Sequence, residues 1–218
     1  MSYVSPINSI CEDANGQIGQ DIFIMTCLRN KTGGTFLEIG SHHPAIINNT
    51  YFLETKYKWR GVMVEYNEDF LDMYKFYRPN SVHVIMDATK VDYKKVLEEN
   101  NFPLDMDFLQ IDLEVSNKST IETLEKLDRE IMDTYTFATV CFEHDNYAGD
   151  TNDTNDTRRR SRVIFDRRGY LRIFADVDDM EDWYIHPRLI NDPSILGLKT
   201  DEPIKHEEAI KRMKALKI

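Results

Sequence analysis

The strongest constraint in this chain is a rhythm: short apolar runs recur at intervals of roughly 20 to 25 residues, separated by longer amphipathic stretches, as βα units on a parallel sheet require. The runs are Thr35 to Gly40 (TFLEIG), Gly61 to Tyr66 (GVMVEY), Val82 to Asp87, Asp107 to Asp112 and Phe137 to Glu143. Their Val, Ile, Leu and Phe content suits strands covered on both faces. Helices are predicted between them, over Asn48 to Lys58, Glu68 to Tyr77, Lys90 to Glu99 and Ser119 to Asp133, the last with Ile121, Leu124, Leu127 and Ile131 on one stripe. Gly169 to Val177 and Trp183 to His186 follow each other across a short acidic link, which predicts an antiparallel pair at one edge of a mostly parallel α/β sheet.

At 218 residues the chain suits one domain over 1–200. The tract Asp145 to Arg160 contains DTNDTNDT, a composition that cannot pack a core, and is expected to be a mobile loop. The tail 201–218 reads as an amphipathic helix, with Ile210, Met213 and Leu216 on one side. A formal charge of −11 argues against nucleic acid as a partner. Cys11, Cys27 and Cys141 are widely spaced and form no CxxC pair, which fits a reducing compartment. No apolar run approaches the roughly 20 residues of a membrane span. A cytoplasmic location is expected, and oligomeric state is left open.

The predicted strand ends share one property. Glu38 with Gly40, Glu65, Asp87, Asp112 with Glu114, and Glu143 with His144 all fall at or just beyond them. Each acid alone could cap a turn, but on one sheet edge they would repel one another unless a polar ligand lay between them. Glu65 lies about 25 residues after Gly40, where a carboxylate accepts ribose hydroxyls, and an acid at the third strand end can accept the adenine amino group. The turn Gly40-Ser41-His42-His43-Pro44 lacks G-x-G-x-x-G, and no P-loop occurs, so a pyrophosphate cradle is not expected. An adenosine cofactor without phosphates, as S-adenosylmethionine is, suits the acids better.

The segments Gln20-Asp21, Gly34 to Gly40 (GTFLEIG), Asn49 to Glu54 (NTYFLE), Trp59 to Glu65 (WRGVMVE), Asp107 to Glu114 (DFLQIDLE) and Glu181-Asp182-Trp183 resemble, in order, those of the FkbM family of class I methyltransferases. The resemblance implies a seven-stranded Rossmann-like sheet with helices on both faces, and methyl transfer from S-adenosylmethionine to a hydroxyl of a sugar, glycan or other small molecule. It places Glu38 and Gly40 at the cofactor turn, Glu65 by the ribose, Asp87 and Ala88 by the adenine, and Asp112 by the methionine moiety, with Ser41 and Tyr66 as further cofactor-binding residues. His42-His43-Pro44 and Val115 stand where many members have glycine.

O-methylation needs a base near the acceptor oxygen. His144 is expected in that role by residue type, with Asp112 second. Asp112, Asp145 and Asn146 could offer oxygens to Mg²⁺ or Ca²⁺, but isolated acids are weakly specific and no metal is expected. Two alternatives stand beside this reading: a methyltransferase-like binding domain without catalysis, and another nucleotide-cofactor enzyme on a Rossmann-like fold, such as a nicotinamide-dependent dehydrogenase.

Overall fold

The computed structural model describes residues 14–148 and 152–216. Five parallel strands form first: β1 (Thr35–Ile39), β2 (Arg60–Glu65), β3 (Val82–Ile85), β4 (Asp105–Ile111) and β5 (Thr136–Glu143). They are followed by β6 (Leu171–Val177), β7 (Glu181–Ile185) and β8 (Thr200–Ile204). The eight lie in the order β3-β2-β1-β4-β5-β7-β6-β8, and β7 runs antiparallel to both β5 and β6. Strand order therefore reverses between β1 and β4, the place where ligands of open α/β sheets bind.

Alternation along the strands explains why both faces are covered. Phe36 and Phe108 pair across β1 and β4 and pack with Phe23, Trp59, Tyr74 and Trp183 on one face. Leu37 and Leu109, one residue on, pack with Leu97, Leu124, Phe165 and Tyr184 on the other. The first face carries α1 (Gln20–Cys27), α2 (Tyr51–Tyr57) and α3 (Leu71–Tyr77); the second carries α4 (Tyr93–Glu99), α5 (Ser119–Glu130) and α6 (Asn152–Arg167). The short α7 (Pro193–Leu196) and α8 (His206–Lys214) close the chain. Among the described residues no helix is long and apolar enough to cross a membrane.

The α/β alternation predicted from the apolar rhythm and the Rossmann-like sheet implied by the resemblance are both present, with differences that pairing and packing decide. The sheet has eight strands rather than seven. β8 lies where the tail was expected to be helical from residue 201, because Thr200 to Ile204 pairs with β6 at the open edge, the one place in a sheet where Pro203 is tolerated. The tract 145–160 is likewise not a loop throughout. It holds a 3₁₀ turn, Asn146–Ala148, and the first half of α6. Propensity in DTNDT opposes a helix, but Arg158, Arg160 and Arg162 reach Asp176, Glu125 and Asp182, and these tertiary ion pairs hold α6 against the sheet.

Candidate functional site

Gly40 ends β1 in the left-handed region, φ 88°. A Cβ there would sit 1.7 Å from the backbone oxygen of Asp112, because the chain leaving β1 passes directly against the chain leaving β4. Only glycine meets both conditions. Beyond it, Ser41 Oγ donates to the backbone oxygen of Glu38 at 3.1 Å, and His42 adopts φ 45°. The His42 amide donates to Glu65 Oε2 at 2.7 Å, while Tyr66 and Asn67 amides donate to Glu65 Oε1, each at 2.9 Å. Three backbone donors thus fix the Glu65 carboxylate at the end of β2. The turn that carries His-His-Pro in place of a second glycine is built differently from a glycine turn. His43 Nδ1 accepts from the amides of Ala45 and Ile46, His42 packs edge-on to Phe70, and Tyr74 donates to the His42 carbonyl at 2.5 Å.

Beyond the ends of β1, β2, β4 and β5 opens a cavity of about 650 Å³. Glu38, Gly40, Ser41, Glu65 and Asp112 line it, as do Glu114, Glu143, Asp145, His42, His43 and Asn49, with the exposed Ile46 and Ile47. Among the described residues no lysine or arginine lines it. Of the residues expected to bind the cofactor, three stand outside the lining. Tyr66 is exposed, Ala88 is buried in the second core face, and Asp87 caps its own turn, accepting from Thr89 at 3.0 and 2.7 Å and pairing with Lys90 at 2.9 Å.

His144 requires a correction. It is fully buried and does not line the cavity. Its Nδ1 accepts from the Asn146 amide, so the ring proton sits on Nε2, which faces Asp176 at 3.4 Å and Asp182 at 3.6 Å. A strand turns successive side chains to opposite faces; Glu143 took the cavity side, and the residue chosen for its type took the other.

Burial and mutual repulsion shape the acids of the cavity wall. Burial and the Asp112 charge push Glu143 up to about 12, and burial raises Asp112 above the usual carboxylate range, so the two share a proton at neutral pH. Asp145 is raised by burial and by the Asp112 charge. Beneath them Glu181, bonded by Gln20 at 2.6 Å and Trp183 at 2.8 Å, is raised to about 8 by burial and then by Asp112. Burial lifts Glu38 to about 7, opposed by Arg78 and by hydrogen bonds from Thr50 and Asn48.

That last group was not legible as part of the site. Arg78 is wholly buried and bonds Glu54 at 2.8 Å, Asn48 Oδ1 at 2.8 Å and Thr50 Oγ1 at 2.6 Å, while Thr50 donates to Glu38 Oε2 at 2.9 Å. The segment NTYFLE therefore braces the first-strand acid. Nothing local distinguishes Arg78 from a surface arginine; the only sequence signals were Asn49-Thr50 and Glu54 within the FkbM-like segments. Gln20 and Glu181, quoted from opposite ends of that resemblance, meet directly.

The chain's fold resembles that of a TehB-like S-adenosylmethionine-dependent methyltransferase from Corynebacterium glutamicum, with a TM-score of 0.50 at 12% identity, over 82% of this chain and 93% of that one. The likeness is one of fold. A candidate rRNA methylase from Clostridium thermocellum aligns with a TM-score of 0.47 at 10% identity, over 85% of this chain and 99% of that one. No protein-family model and no curated protein matches the chain. What the chain shares with the Corynebacterium protein is thus the Rossmann-like fold, and the FkbM-like segments are not matched by any family model.

Proposed function

We propose that the chain is an S-adenosylmethionine-dependent methyltransferase acting on a hydroxyl of a sugar, glycan or other small molecule. The observation that carries this reading is the juxtaposition at the strand-order reversal: Gly40 against the Asp112 backbone, with Glu65 fixed on one side and the Asp112–Glu143 pair on the other. The donor set fits the cofactor. It has a close backbone turn, a carboxylate for ribose hydroxyls, acids for an ammonium and a sulfonium, and, among the described residues, no lysine or arginine for phosphates.

Bound there, S-adenosylmethionine supplies an electrophilic methyl group. Glu65 accepts the ribose hydroxyls, and Gly40 and Ser41 admit the methionine moiety against the backbone. Adenine lies toward β3, where Tyr66, Asp87 and Ala88 are the proposed contacts. Asp112 takes the acceptor's proton in place of His144, since it lines the cavity and its partner Glu143 already holds the shared proton. The buried free thiols Cys27 and Cys141 accord with a cytoplasmic location.

Titration calorimetry tests the reading: S-adenosylmethionine is expected to bind and NAD not to. Glu65→Ala should weaken cofactor binding by about 1 to 3 kcal/mol, the loss expected for hydrogen bonds to a charged group. Unchanged affinity in that variant removes Glu65 from the ribose site.

A further inference from the structure

We infer that Arg78, which lies outside the cavity, is a positioning residue for the cofactor: acting through Thr50 and Asn48, it aims Glu38 at the methionine ammonium and favours the charged form of that carboxylate. This deepens the methyltransferase reading and rests on it.

The relay has a direction. Arg78 follows α3 and is wholly buried, its guanidinium 5.6 Å from the centre of the Phe36 ring, on the sheet face that Glu38 shares two residues further along β1. Glu54 takes Nε at 2.8 Å, while the two Nη groups reach Asn48 Oδ1 at 2.8 Å and Thr50 Oγ1 at 2.6 Å. The Thr50 hydroxyl, accepting from Arg78, has its own hydrogen to give to Glu38 Oε2 at 2.9 Å. The competing acceptor, Asn48 Oδ1 at 3.3 Å, already takes Arg78 and the Thr50 amide. Asn48, fixed at its oxygen, donates from Nδ2 to the same Oε2 at 3.3 Å. Both bonds land on Oε2, so the oxygen they leave for the cavity that Glu38 lines is Oε1. An ion pair of Arg78 with Glu54 does not require Glu38; the remaining guanidinium donors lead, through Asn48 and Thr50, to the one carboxylate on the strand that ends in the cofactor turn.

Electrostatics gives the relay a consequence. Two donors on one oxygen favour the ionised carboxylate. Burial opposes them and, with the Asp112 charge, lifts Glu38 to about 7. The side chain is therefore balanced near neutrality, and an ammonium arriving at the cavity tips it to the charged form. The other titratable groups around it have partners of their own. Tyr74 of α3 donates to the His42 carbonyl, and Glu65 beyond β2 accepts three amides. Asp21 of α1 accepts the amides of Asn15 and Gly16 at 2.6 and 3.0 Å, and Asp112 beyond β4 shares its proton with Glu143. The rings of His42 and His43 line the same cavity and pack against Phe70. The strand neighbours of Glu38 in register, Met63 and Gln110, are uncharged.

The test compares S-adenosylhomocysteine, which carries the ammonium, with 5′-methylthioadenosine, which lacks the amino-acid part, by titration calorimetry from about pH 5.5 to 8.5. For the unaltered chain the first should weaken about tenfold between pH 8 and pH 6, while the second stays within about twofold. Glu38→Gln should abolish that inflection. Thr50→Val, similar in shape but without the hydroxyl, should move it up by about one pH unit, the equivalent of one charge-assisted hydrogen bond. S-adenosylhomocysteine then binds about fivefold more weakly at pH 7 and less than about twofold more weakly at pH 8.5. Thr50→Ser should restore the profile, and Arg78→Lys, which keeps the charge and loses the fork, should move it in the same direction as Thr50→Val. Circular dichroism checks each fold, and either Thr50→Val or Arg78→Lys decides the matter if the other does not fold. An unshifted inflection in the folded variants overturns the inference. So does an inflection that survives Glu38→Gln, or an equal loss for both ligands at every pH, the mark of a merely structural role. No binding of either ligand at any pH overturns the methyltransferase reading itself, whereas binding of both with the same pH dependence overturns only this inference.

Discussion

Two groups of buried carboxylates flank the end of β5, and they have opposite electrostatics. On the cavity side Glu143 and Asp145, with Glu181 beneath, are raised by burial first and by the Asp112 charge second, while Asp112 is raised by burial and eased back by Glu143 and His42. On the other side, Asp176 and Asp182 are at least as deeply buried and yet held below the usual carboxylate range. Burial opposes their charge too, but Arg162 bonds Asp182 at 2.7 and 2.8 Å and Asp176 at 2.7 Å, and Arg158 bonds Asp176 at 2.6 Å. The difference is the guanidinium groups delivered by α6. The acids that meet guanidinium groups form a structural joint, whereas no arginine or lysine among the described residues lines the cavity that holds the others.

Breaking the joint should give the largest effect. Arg162→Met leaves the buried Asp182 with Tyr184 and, at 3.9 Å, Arg172 among its remaining partners and should cost about 3 kcal/mol in urea denaturation. A loss under about 1 kcal/mol would mean that α6 is held by its apolar contacts alone. On the wall the sign reverses for stability. Asp112→Asn relieves repulsion on Glu143 and Glu181 and should leave the fold as stable or more so, while lowering turnover by about 10²-fold or more. A destabilised variant with normal turnover would place Asp112 in the joint's class instead.

The pH dependence sharpens the contrast further. Glu38, Glu181 and Glu143, raised to about 7, 8 and 12, keep protons in the folded chain that the unfolded chain releases above about 4.3. Their contribution to stability is complete below that pH and is lost as pH rises through the folded values. Asp176 and Asp182 do the reverse, contributing above about 3.9 and losing that contribution as pH falls. Thermal unfolding should therefore be most resistant in mildly acidic buffer and decline toward pH 9, by roughly 2 to 4 °C for each kcal/mol lost. S-adenosylmethionine should reduce the decline, since a bound cation favours ionised acids. A melting temperature flat from pH 5 to 9 would show that the wall is not under the strain described. The smallest effect is expected at His144. His144→Asn should cost about 1 kcal/mol or less and leave cofactor affinity and turnover within about twofold; a large loss of turnover at unchanged stability would return the imidazole to the chemistry.

The sheet was legible because strand burial is periodic, and its β1-to-β5 half follows the apolar runs to within two residues at nearly every end. Gly40 and the acids at four of the strand ends were legible for a related reason: a parallel sheet puts its carboxyl ends on one edge, so their location follows from strand boundaries alone. His144 was misjudged because residue type does not say which way a side chain leaves a strand end. Arg78 was missed because its role depends on Glu38 and on the segment holding Asn48, Thr50 and Glu54, both distant from it in the chain.

What the sequence determined by itself was the α/β alternation, the glycine at the first turn and the concentration of acids beyond the strands, all of which follow from local pattern and from the one-sided geometry of parallel strands. Only the tertiary structure decided that β7 enters between β5 and β6, that a polar, proline-containing segment becomes an eighth strand, and that an Asp-Thr-Asn tract becomes a helix. It alone decided which buried acids meet an arginine and which do not. Pairing partners and ion pairs are long-range, and a chain's local composition carries no record of which distant group will neutralise a charge once both are out of water.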